Sequence, residues 1–325
     1  LKNSKADVGV DDWRLDGPEL KSYFESNQYE AVIVFGWNKV LFWQAIWWAK
    51  KYNVSLILRA ESNLKHTQSW FTKWIKKVSF PILFKQFEAF MSIGSHNSEL
   101  YRHYGVQKKA IHDAPYCVDN DFFAEGATKS AIKAGQLRVS LGIPESDTVF
   151  LFMAKFVDRK RPLDLIAAAV KNKECRNFHV ILVGGGELME ACQSAITANQ
   201  LDNVHLVGFI NQTELPTYYA AADVFVLPSH YETWGLVLNE AMACGLPGIV
   251  SDTCGATQDM IIEGETGYSY PMGDVQQLAI LMMLMADSSD NCRQMGLRAA
   301  GHVQNFSVPF VVSALKNILQ DISKK

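Results

Sequence analysis

The sequence has few of the features that mark specialised classes of protein. Its six cysteines form no Cys-x-x-Cys pair and no spacing typical of a metal cluster, which favours free thiols in a reducing cytoplasm over a disulfide framework. No apolar run reaches the length needed to span a membrane. Basic and acidic residues number 31 and 34, a net charge of −3. Nothing therefore indicates a nucleic-acid partner, and any anion site must come from local geometry.

What is present is the composition and pattern of a soluble two-domain protein. Hydrophobic residues make up 48% and charged residues 20% of 325 residues, a length above the usual size of a single core. Apolar runs alternate with amphipathic stretches such as Leu163–Lys173, Glu187–Asn199 and Glu214–Ala222. The predicted strands are Ala31–Phe35, Val54–Leu58, Phe90–Ile93, Ala110–Tyr116, Val149–Met153, His179–Val183, Val204–Val207, Val224–Leu227 and Gly248–Val250. This alternation predicts α/β domains with doubly wound parallel sheets, which bind ligands beyond the carboxyl ends of their strands.

The predicted break between the two domains lies between residues 118 and 136, where the apolar period is lost. We place the N-terminal domain at residues 1–125, the C-terminal domain at 126–308, and a last helix at 309–325 that packs back onto the first domain. The first domain shows about four strands against about six in the second, and the chain opens on a polar stretch without Met. We therefore expect the N-terminal domain to lack its first strands.

The segment most informative about function is Pro228–Pro247, which follows a predicted buried strand and turns into a helix near Gly235. Amides at the start of a helix lack intrahelical partners and lie at the positive end of the dipole, so those of Gly235 and Leu236 suit a diphosphate. Glu232 and Glu240 would repel a phosphate that they faced. We interpret these two acids as acceptors for sugar and ribose hydroxyls, or else as solvated charges at a helix end.

A second element is the basic turn that follows the first strand of the C-terminal domain. Its cations are Lys155, Arg159, Lys160 and Arg161. Four cations in seven residues at a strand end can neutralise a diphosphate and stabilise a leaving group. A solvated basic turn is the alternative interpretation.

These motifs resemble those of the retaining GT-B glycosyltransferases of family 4, the glycosyl transferases group 1, in which two glutamates lie within P-S-x-x-E-x-x-G-x-x-x-x-E-A-M-A-x-G-x-P. The matching residues are Pro228, Ser229, Glu232, Gly235, Glu240, Ala241, Met242, Ala243, Gly245 and Pro247. Shorter likenesses lie at Tyr116–Asp119, Val183–Gly186, Val207–Ile210 and Gly264–Gly267. The resemblance covers the chain from about residue 90 onward and is weak before it. It implies the GT-B fold, in which two Rossmann-like domains face a cleft.

The resemblance implies roles for individual residues. Glu232 is expected to contact hydroxyls of the donor sugar and Glu240 those of the ribose, while the helix amides hold the distal phosphate. The backbone at Phe209–Ile210 is expected to read the base, and the glycines at 185 and 186 to line the donor cleft. The donor-binding residues implied in this way are Glu240, Gly235, Leu236, Phe209, Ile210, Gly185 and Gly186. Glycines at a strand end also serve close packing alone, which is the alternative.

The basic turn departs from the family pattern G-R-L-x-x-x-K-G. Lys155 and Lys160 occupy its two basic positions, and the resemblance implies that they stabilise the departing diphosphate. Ala154 and Arg161 replace its glycines, and Lys155 replaces an arginine. Because lysine is a point charge where arginine forms a bidentate fork, donor affinity or donor choice is expected to differ.

The N-terminal half offers weaker candidates. Glu61 follows the predicted strand Val54–Leu58, at the edge where parallel sheets bind ligands. Many family members have a histidine near this place that contacts the donor sugar, and His66 lies a little further on. Alternatively, Arg59 and Glu61 pair with each other at the surface.

The N-terminal half also holds a basic, aromatic stretch, Ser69–Phe87. Such a helix can lie on an anionic membrane, as a transferase acting on a lipid-linked acceptor would require. The alternative is a helix that packs its aromatic side into the core. We interpret Trp43, Trp47 and Trp48 as core residues.

The sequence therefore predicts transfer of a hexose-type sugar from a UDP- or GDP-sugar to a hydroxyl of a sugar or lipid-linked acceptor, in cell-surface polysaccharide or glycoconjugate synthesis. The catalytic candidates are Glu232, Lys160, Lys155 and Glu61. No Asp-x-Asp pair lies beside these elements, so no metal or other cofactor is expected. The expected location is the cytoplasm, with peripheral contact to the inner membrane face. The rivals are another GT-B enzyme (a nucleotide-sugar epimerase or a sugar phosphorylase) and a non-catalytic donor-binding fragment.

Overall fold

The computed structural model describes residues 16–64, 69–175 and 177–324, which divide into two compact units. Unit 1 takes the described residues up to Tyr116 together with those from Pro309 onward, and unit 2 is Cys117–Val308. His66, the alternative to Glu61 in the N-terminal half, lies outside the described residues.

Strands and helices alternate in both units. The strands are β1 (Ala31–Val34), β2 (Ser55–Arg59), β3 (Ala89–Ser92), β4 (Ile111–Asp113), β5 (Thr148–Met153), β6 (Phe178–Val183), β7 (Val204–Gly208), β8 (Val224–Leu227), β9 (Gly248–Ser251) and β10 (Gly267–Tyr270). The α-helices are α1 (Leu20–Ser26), α2 (Val40–Lys51), α3 (Trp70–Phe84), α4 (Ser95–His103), α5 (Asn120–Lys129), α6 (Ala131–Ser140), α7 (Pro162–Lys171), α8 (Met189–Ala198), α9 (Leu215–Ala220), α10 (Leu236–Ala243), α11 (Thr257–Met260), α12 (Val275–Ala286), α13 (Ser289–His302) and α14 (Val308–Ser323). Each of the nine predicted strands overlaps one of these strands, and only β10 was not predicted.

Unit 1 contains a parallel sheet in the order β1-β2-β3-β4. Leu56, Ile57 and Leu58 of β2 are fully buried, because a parallel sheet is covered on both faces. Helix α14 covers part of one face, where Ile318 packs in a cluster with Ile57 and Met91. The last helix of the chain is therefore part of unit 1.

Unit 2 contains a six-stranded parallel sheet in the order β10-β9-β8-β5-β6-β7. From β5 the chain continues on one side to β6 and β7, and it returns on the other side with β8, β9 and β10. The strand order therefore reverses between β5 and β8. Loops that follow two such strands diverge and open a crevice at their carboxyl ends, which is the usual ligand position in open α/β sheets.

The two units divide after Tyr116, earlier in the chain than the predicted boundary at 125/126. Residues 120–140 form α5 and α6, where the sequence had indicated a break. The buried residues of these helices are small or few, among them Phe123, Ala127 and Ala134, which weakens the apolar period. Helix α5 belongs to unit 2 because the Phe123 ring packs edge-on against Tyr219, with centroids 5.9 Å apart.

The tryptophans of α2 correct a second prediction. Trp43 and Trp47 are 51% and 57% exposed, so they are not core residues. Trp48 is partly buried and packs against the core of unit 1. Helix α2 is apolar on nearly all sides, a pattern typical of a fully buried helix. Only Ile46 and Ala49 are buried within it.

Helix α3 has two different faces. With about 100° between successive residues of an α-helix, its exposed large apolar side chains fall within one arc of roughly 140°. They are Trp70, Phe71, Trp74, Ile75, Val78 and Ile82. Phe80, Leu83 and Phe84, on the other side, are buried in the core of unit 1. Part of the helix therefore packs into the core while its main aromatic face does not. None of the described helices combines the length and apolar character needed to cross a bilayer.

Candidate functional site

The loops after β5 and β8 bring together Lys160 and Glu232, two of the predicted catalytic residues. Glu232 is only 7% exposed. Its Oε1 accepts hydrogen bonds from the Lys160 ammonium and from Ser229 Oγ, the latter at 2.9 Å. Its Oε2 accepts from Arg159 Nη1 at 3.0 Å. A buried carboxylate is thus neutralised by two cations, as a charge in a poorly hydrated position requires.

Arg159 was predicted only as one of four cations in the basic turn, but it contacts Glu232 directly. Besides its bond to Glu232, its Nη1 donates to the Tyr231 carbonyl at 2.8 Å. The backbone joins the same loops, because the His230 amide donates to the Arg159 carbonyl at 2.8 Å. The strands β5 and β8 are neighbours in the sheet. A prediction of that strand order would have placed Arg159 next to the loop that carries Glu232.

The end of β9 and the loop after it are bonded to the loop that carries Glu232. Ser251 Oγ donates to the Ser229 carbonyl at 2.5 Å. The Gly255 amide donates to the Glu232 carbonyl at 3.0 Å, and the Ala256 amide to the Trp234 carbonyl at 3.0 Å. The position of the glutamate is therefore fixed by backbone contacts as well as by its cations.

The start of α10 is open beside this cluster. Gly235 has φ +110°, and a Cβ there would lie 2.8 Å from Cys254 Sγ, so both conformation and packing require glycine. The amides of Gly235 and Leu236 donate no hydrogen bond to any described residue. Leu236 is 40% exposed. These amides are therefore unpaired donors at the positive end of the helix, an arrangement that suits an anion.

Glu240 lies one turn further along α10 and is partly exposed. Its Oε2 accepts a hydrogen bond of 2.7 Å from Tyr219 Oη. Burial raises the pKa of Glu240 above its usual value, and the bond from Tyr219 opposes that rise. Oε1 has no hydrogen-bond partner among the described residues. The carboxylate is thus fixed at one oxygen and open at the other.

Lys155 differs from Lys160 in its surroundings. Its side chain is exposed and makes no hydrogen bond or ion pair with the described residues. The structure therefore does not bring it into the Glu232 cluster. Its charge is free to meet an incoming anion at the end of β5.

Arg161 explains one departure from the family pattern. It has φ +51°, the left-handed conformation that the glycine of the pattern would adopt without strain. Its guanidinium forms two bonds with Asp164, at 2.5 and 2.9 Å, which raise the pKa of Arg161. The guanidinium is therefore engaged by Asp164, and Arg161 is not among the residues that bond Glu232 in the described part of the chain.

The glycines after β6 are explained by packing. Gly186 has φ +153°, and a Cβ there would lie 2.5 Å from the Phe156 carbonyl oxygen. The Gly185 carbonyl accepts from the Phe156 amide at 2.9 Å, but a Cβ at 185 would meet nothing within 4 Å. Gly186 is therefore required where the loops after β5 and β6 touch, whereas Gly185 is not.

Phe209 and Ile210 follow β7 at the same carboxyl edge of the sheet. Phe209 is 80% exposed and Ile210 is partly buried. In the sheet, β5 and β6 lie between β7 and β8. Phe209 and Ile210 are therefore separated by two strands from the β8 loop that leads to α10 and Glu240. A ligand that reached both would extend across several strands.

Glu61 lies beyond β2 in unit 1. The Tyr116 hydroxyl donates a hydrogen bond to Glu61 Oε1. Arg59 Nη1 donates instead to the Ala114 carbonyl at 2.7 Å, and its guanidinium lies 5.2 Å from the centre of the Tyr116 ring. The alternative of a surface pair between Arg59 and Glu61 is therefore not what forms.

No cluster of three or more His, Cys, Asp or Glu suited to a metal ion occurs within the described residues.

The architecture is that of known GT-B glycosyltransferases. A glycosyltransferase from Rickettsia africae superposes with a TM-score of 0.77 at 17% identity, over 94% of this chain and 80% of the other. HepE from Anabaena, in complex with UDP, superposes with a TM-score of 0.73 at 19% identity, over the same shares. The two parallel sheets are therefore those of the GT-B fold, as predicted.

Residues 134–302, just over half of the chain, match the family model for glycosyl transferases group 1. The chain belongs to this family. It is 30% identical over 232 residues to D-inositol 3-phosphate glycosyltransferase 2 of Catenulispora acidiphila, covering 68% of this chain and 53% of that protein. It is 31% identical over 189 residues to N-acetyl-alpha-D-glucosaminyl L-malate synthase of Bacillus anthracis, covering 58% and 49%. The chain thus spans about half the length of the curated relatives it matches.

Proposed function

We propose that the protein transfers a hexose-type sugar from a nucleoside-diphosphate sugar, UDP- or GDP-linked, to an acceptor hydroxyl. The observation that carries the proposal is the position of Glu232, paired with Lys160 and Arg159 beside the open start of α10. The proposed roles are a carboxylate that binds sugar hydroxyls, amides that bind phosphate and cations that stabilise the leaving group. The residues proposed for these roles lie in the loops after β5 and β8 and at the start of α10. Membership of family 4 and retention of anomeric configuration rest on the resemblance of Pro228–Pro247.

The chemistry proposed for this cluster is stabilisation of a leaving diphosphate. As the bond from the anomeric carbon to the phosphate oxygen breaks, negative charge grows on the diphosphate. The amides of Gly235 and Leu236 and the Lys160 ammonium, which is held beside Glu232, stabilise that charge without reorganising, and the exposed Lys155 adds a further positive charge at the end of β5. Glu232 orients the sugar through its hydroxyls. These groups supply positive charge where a metal would otherwise act, so we propose that transfer needs no divalent ion.

The remaining donor contacts are proposed for α10 and for the loops after β6 and β7. The open Oε1 of Glu240 accepts from ribose hydroxyls, the backbone of Phe209–Ile210 reads the base, and Gly185 and Gly186 line the donor. Support comes from HepE, whose fold this chain shares and which binds UDP and UDP-glucose. In unit 1, Glu61 is the proposed contact for the reacting sugar, because it is exposed beyond β2 and held by Tyr116.

A thermal-shift panel of UDP, GDP, ADP, TDP and their common sugar conjugates, with and without EDTA, tests the donor site. A ligand at a hundred times its dissociation constant adds about 2.7 kcal/mol of stability. We expect stabilisation by the nucleotides of one base, unchanged by EDTA. Stabilisation lost with EDTA would contradict metal-free binding, and no stabilisation by any nucleotide would remove the assigned donor residues. Donor turnover without an acceptor would favour an epimerase instead.

We propose further that unit 1 meets an anionic membrane surface through α3, where a lipid-linked acceptor would lie. The aromatic face of α3 is exposed, as described above. The helix carries Lys73, Lys76 and Lys77 and no acidic residue, and none of the three lysines pairs with an acid among the described residues. With Trp70 and Trp74 they line a groove of about 960 Å³. A basic helix with an exposed aromatic face is suited to the interface of an anionic bilayer.

This membrane proposal fits a peripheral protein on the inner face of a cell membrane and a role in cell-surface polysaccharide or glycoconjugate synthesis. The cytoplasmic location and the acceptor are part of this proposal.

Co-sedimentation with vesicles of phosphatidylglycerol and phosphatidylcholine tests the α3 surface. The double variant Trp70→Ser, Trp74→Ser is expected to weaken binding by at least about tenfold, because two large apolar groups no longer enter the interface. The double variant Trp43→Ser, Trp47→Ser removes two other exposed tryptophans from α2 and serves as the control. Equal loss in the two variants, or no binding by the unchanged protein, would count against α3.

A further inference from the structure

Tyr219 is fully buried in α9, yet its hydroxyl reaches a partly exposed carboxylate. The ring is 0% exposed and lies edge-on to Phe123 at 5.9 Å, with Phe225 at 6.2 Å. Packed aromatic rings of this kind have little freedom of rotation. The hydroxyl is therefore held at one point in space, 2.7 Å from Glu240 Oε2.

Glu240 depends on this single donor. Within the described part of the chain, Tyr219 provides the one hydrogen bond to its carboxylate. Burial favours the protonated acid and raises the pKa of Glu240, whereas the bond from Tyr219 favours the carboxylate. Without the hydroxyl, Glu240 would take up a proton at a higher pH and would be free to change rotamer.

We propose that Tyr219 is a positioning residue, whose hydroxyl holds Glu240 as an oriented, ionised acceptor for the hydroxyls of a ribose. The inference rests on the proposed function, because it assigns a nucleoside diphosphate to α10. With Oε2 occupied by Tyr219, Oε1 is the atom presented to the ligand. Selectivity for ribose over 2′-deoxyribose then depends on a residue buried behind the site.

The test compares Tyr219→Phe with Tyr218→Phe. Both changes remove one hydroxyl from the same helix, but Tyr218 makes no bond to Glu240. Calorimetric titration with UDP and 2′-deoxy-UDP, and with GDP and 2′-deoxy-GDP as a second pair, measures the affinities. Tyr219→Phe is expected to weaken binding of the ribose form by roughly tenfold, the usual effect of disturbing a hydrogen bond to a charged group. The deoxy form, which keeps only the 3′-hydroxyl as a partner for Glu240, should be weakened less than the ribose form, and Tyr218→Phe should leave both affinities unchanged.

Two further readouts separate positioning from a general loss of structure. In Tyr219→Phe the affinity for the ribose form should fall at a higher pH than in the unchanged protein, because Glu240 protonates more easily. The effect of Tyr219→Phe should also vanish when Glu240→Ala is already present, since the two residues act as one unit.

The outcomes distinguish this inference from the proposed function. If the unchanged protein binds a ribonucleotide but Tyr219→Phe behaves like Tyr218→Phe, the positioning role is wrong and the donor site stands. The same holds if Tyr219→Phe weakens the ribose and deoxyribose forms equally. If the unchanged protein binds neither UDP nor GDP, both the proposed function and the inference are overturned.

Discussion

Replacing Lys160 by alanine is expected to lower the turnover number by about 10²–10³-fold, the usual effect of removing one preorganised group that stabilises transition-state charge. Lys160 is the cation nearest to Glu232, and its side chain is 14% exposed. The measurement is kcat for sugar transfer at saturating donor. Lys171→Ala, an exposed lysine at the far end of α7, serves as the control and should turn over normally.

The same substitution disturbs a buried charge, so stability has to be measured beside turnover. Glu232 would keep Arg159 and Ser229 as partners. We therefore expect a loss of about 1–3 kcal/mol in the free energy of unfolding, below the usual cost of leaving a buried charge unpaired. Adding Glu232→Gln removes the carboxylate that has lost Lys160, and it should recover part of the stability but not the turnover. Normal turnover in Lys160→Ala, or recovered turnover in the double variant, would remove Lys160 from the catalytic residues.

Gly186→Ala is expected to lower the free energy of unfolding by about 3–5 kcal/mol, through backbone strain and a clash in the core. The residue has φ +153°, and the new Cβ would lie 2.5 Å from the Phe156 carbonyl oxygen. Phe156 is fully buried, so its backbone cannot move aside without disturbing the core of unit 2. The midpoint of urea unfolding measures the loss.

Gly185→Ala is the matched control for Gly186→Ala. Its Cβ would point into open space, so the free energy of unfolding should change by about 0.5 kcal/mol or less. If Gly186 serves the ligand rather than the packing, Gly186→Ala would fold normally and bind donor weakly. That result would contradict the structural explanation of this glycine.

Much of the fold could be predicted from the sequence, because buried parallel strands are continuous runs of β-branched and aromatic residues. The missed strand, β10, is Gly-Tyr-Ser-Tyr at the edge of the sheet, where only Gly267 and Tyr270 are buried and the strand has no continuous apolar run. Helix α5 and the larger part of α6 fall within the predicted break, because their buried residues, apart from Phe123, are alanine or polar and contribute little to an apolar period.

The prediction for α2 was wrong for a different reason. A helix that is apolar on all sides is normally buried, and the sequence does not show which side meets the core. Trp43 is exposed although its indole N–H is satisfied by the Trp37 carbonyl at 2.9 Å. Burial is a property of the neighbouring elements, and those are set by the tertiary structure.

The candidate site was likewise predicted from the sequence only in part. The sequence indicated Glu232 and Lys160, because both lie in loops that follow buried strands. It did not indicate Tyr219, which has the pattern of an ordinary core aromatic on a short helix. Contacts between residues on different elements, such as Tyr219 with Glu240, follow from packing and leave no periodic signal.

The Arg161–Asp164 pair bears on how substitutions at these two positions combine. Arg161 adopts a left-handed backbone conformation, which glycine adopts without strain, and its guanidinium is bonded to Asp164. Because the two side chains contact each other, the effects of substituting positions 161 and 164 on the free energy of unfolding are not expected to be additive. The departure from the family pattern at position 161 therefore has to be judged together with the residue at position 164.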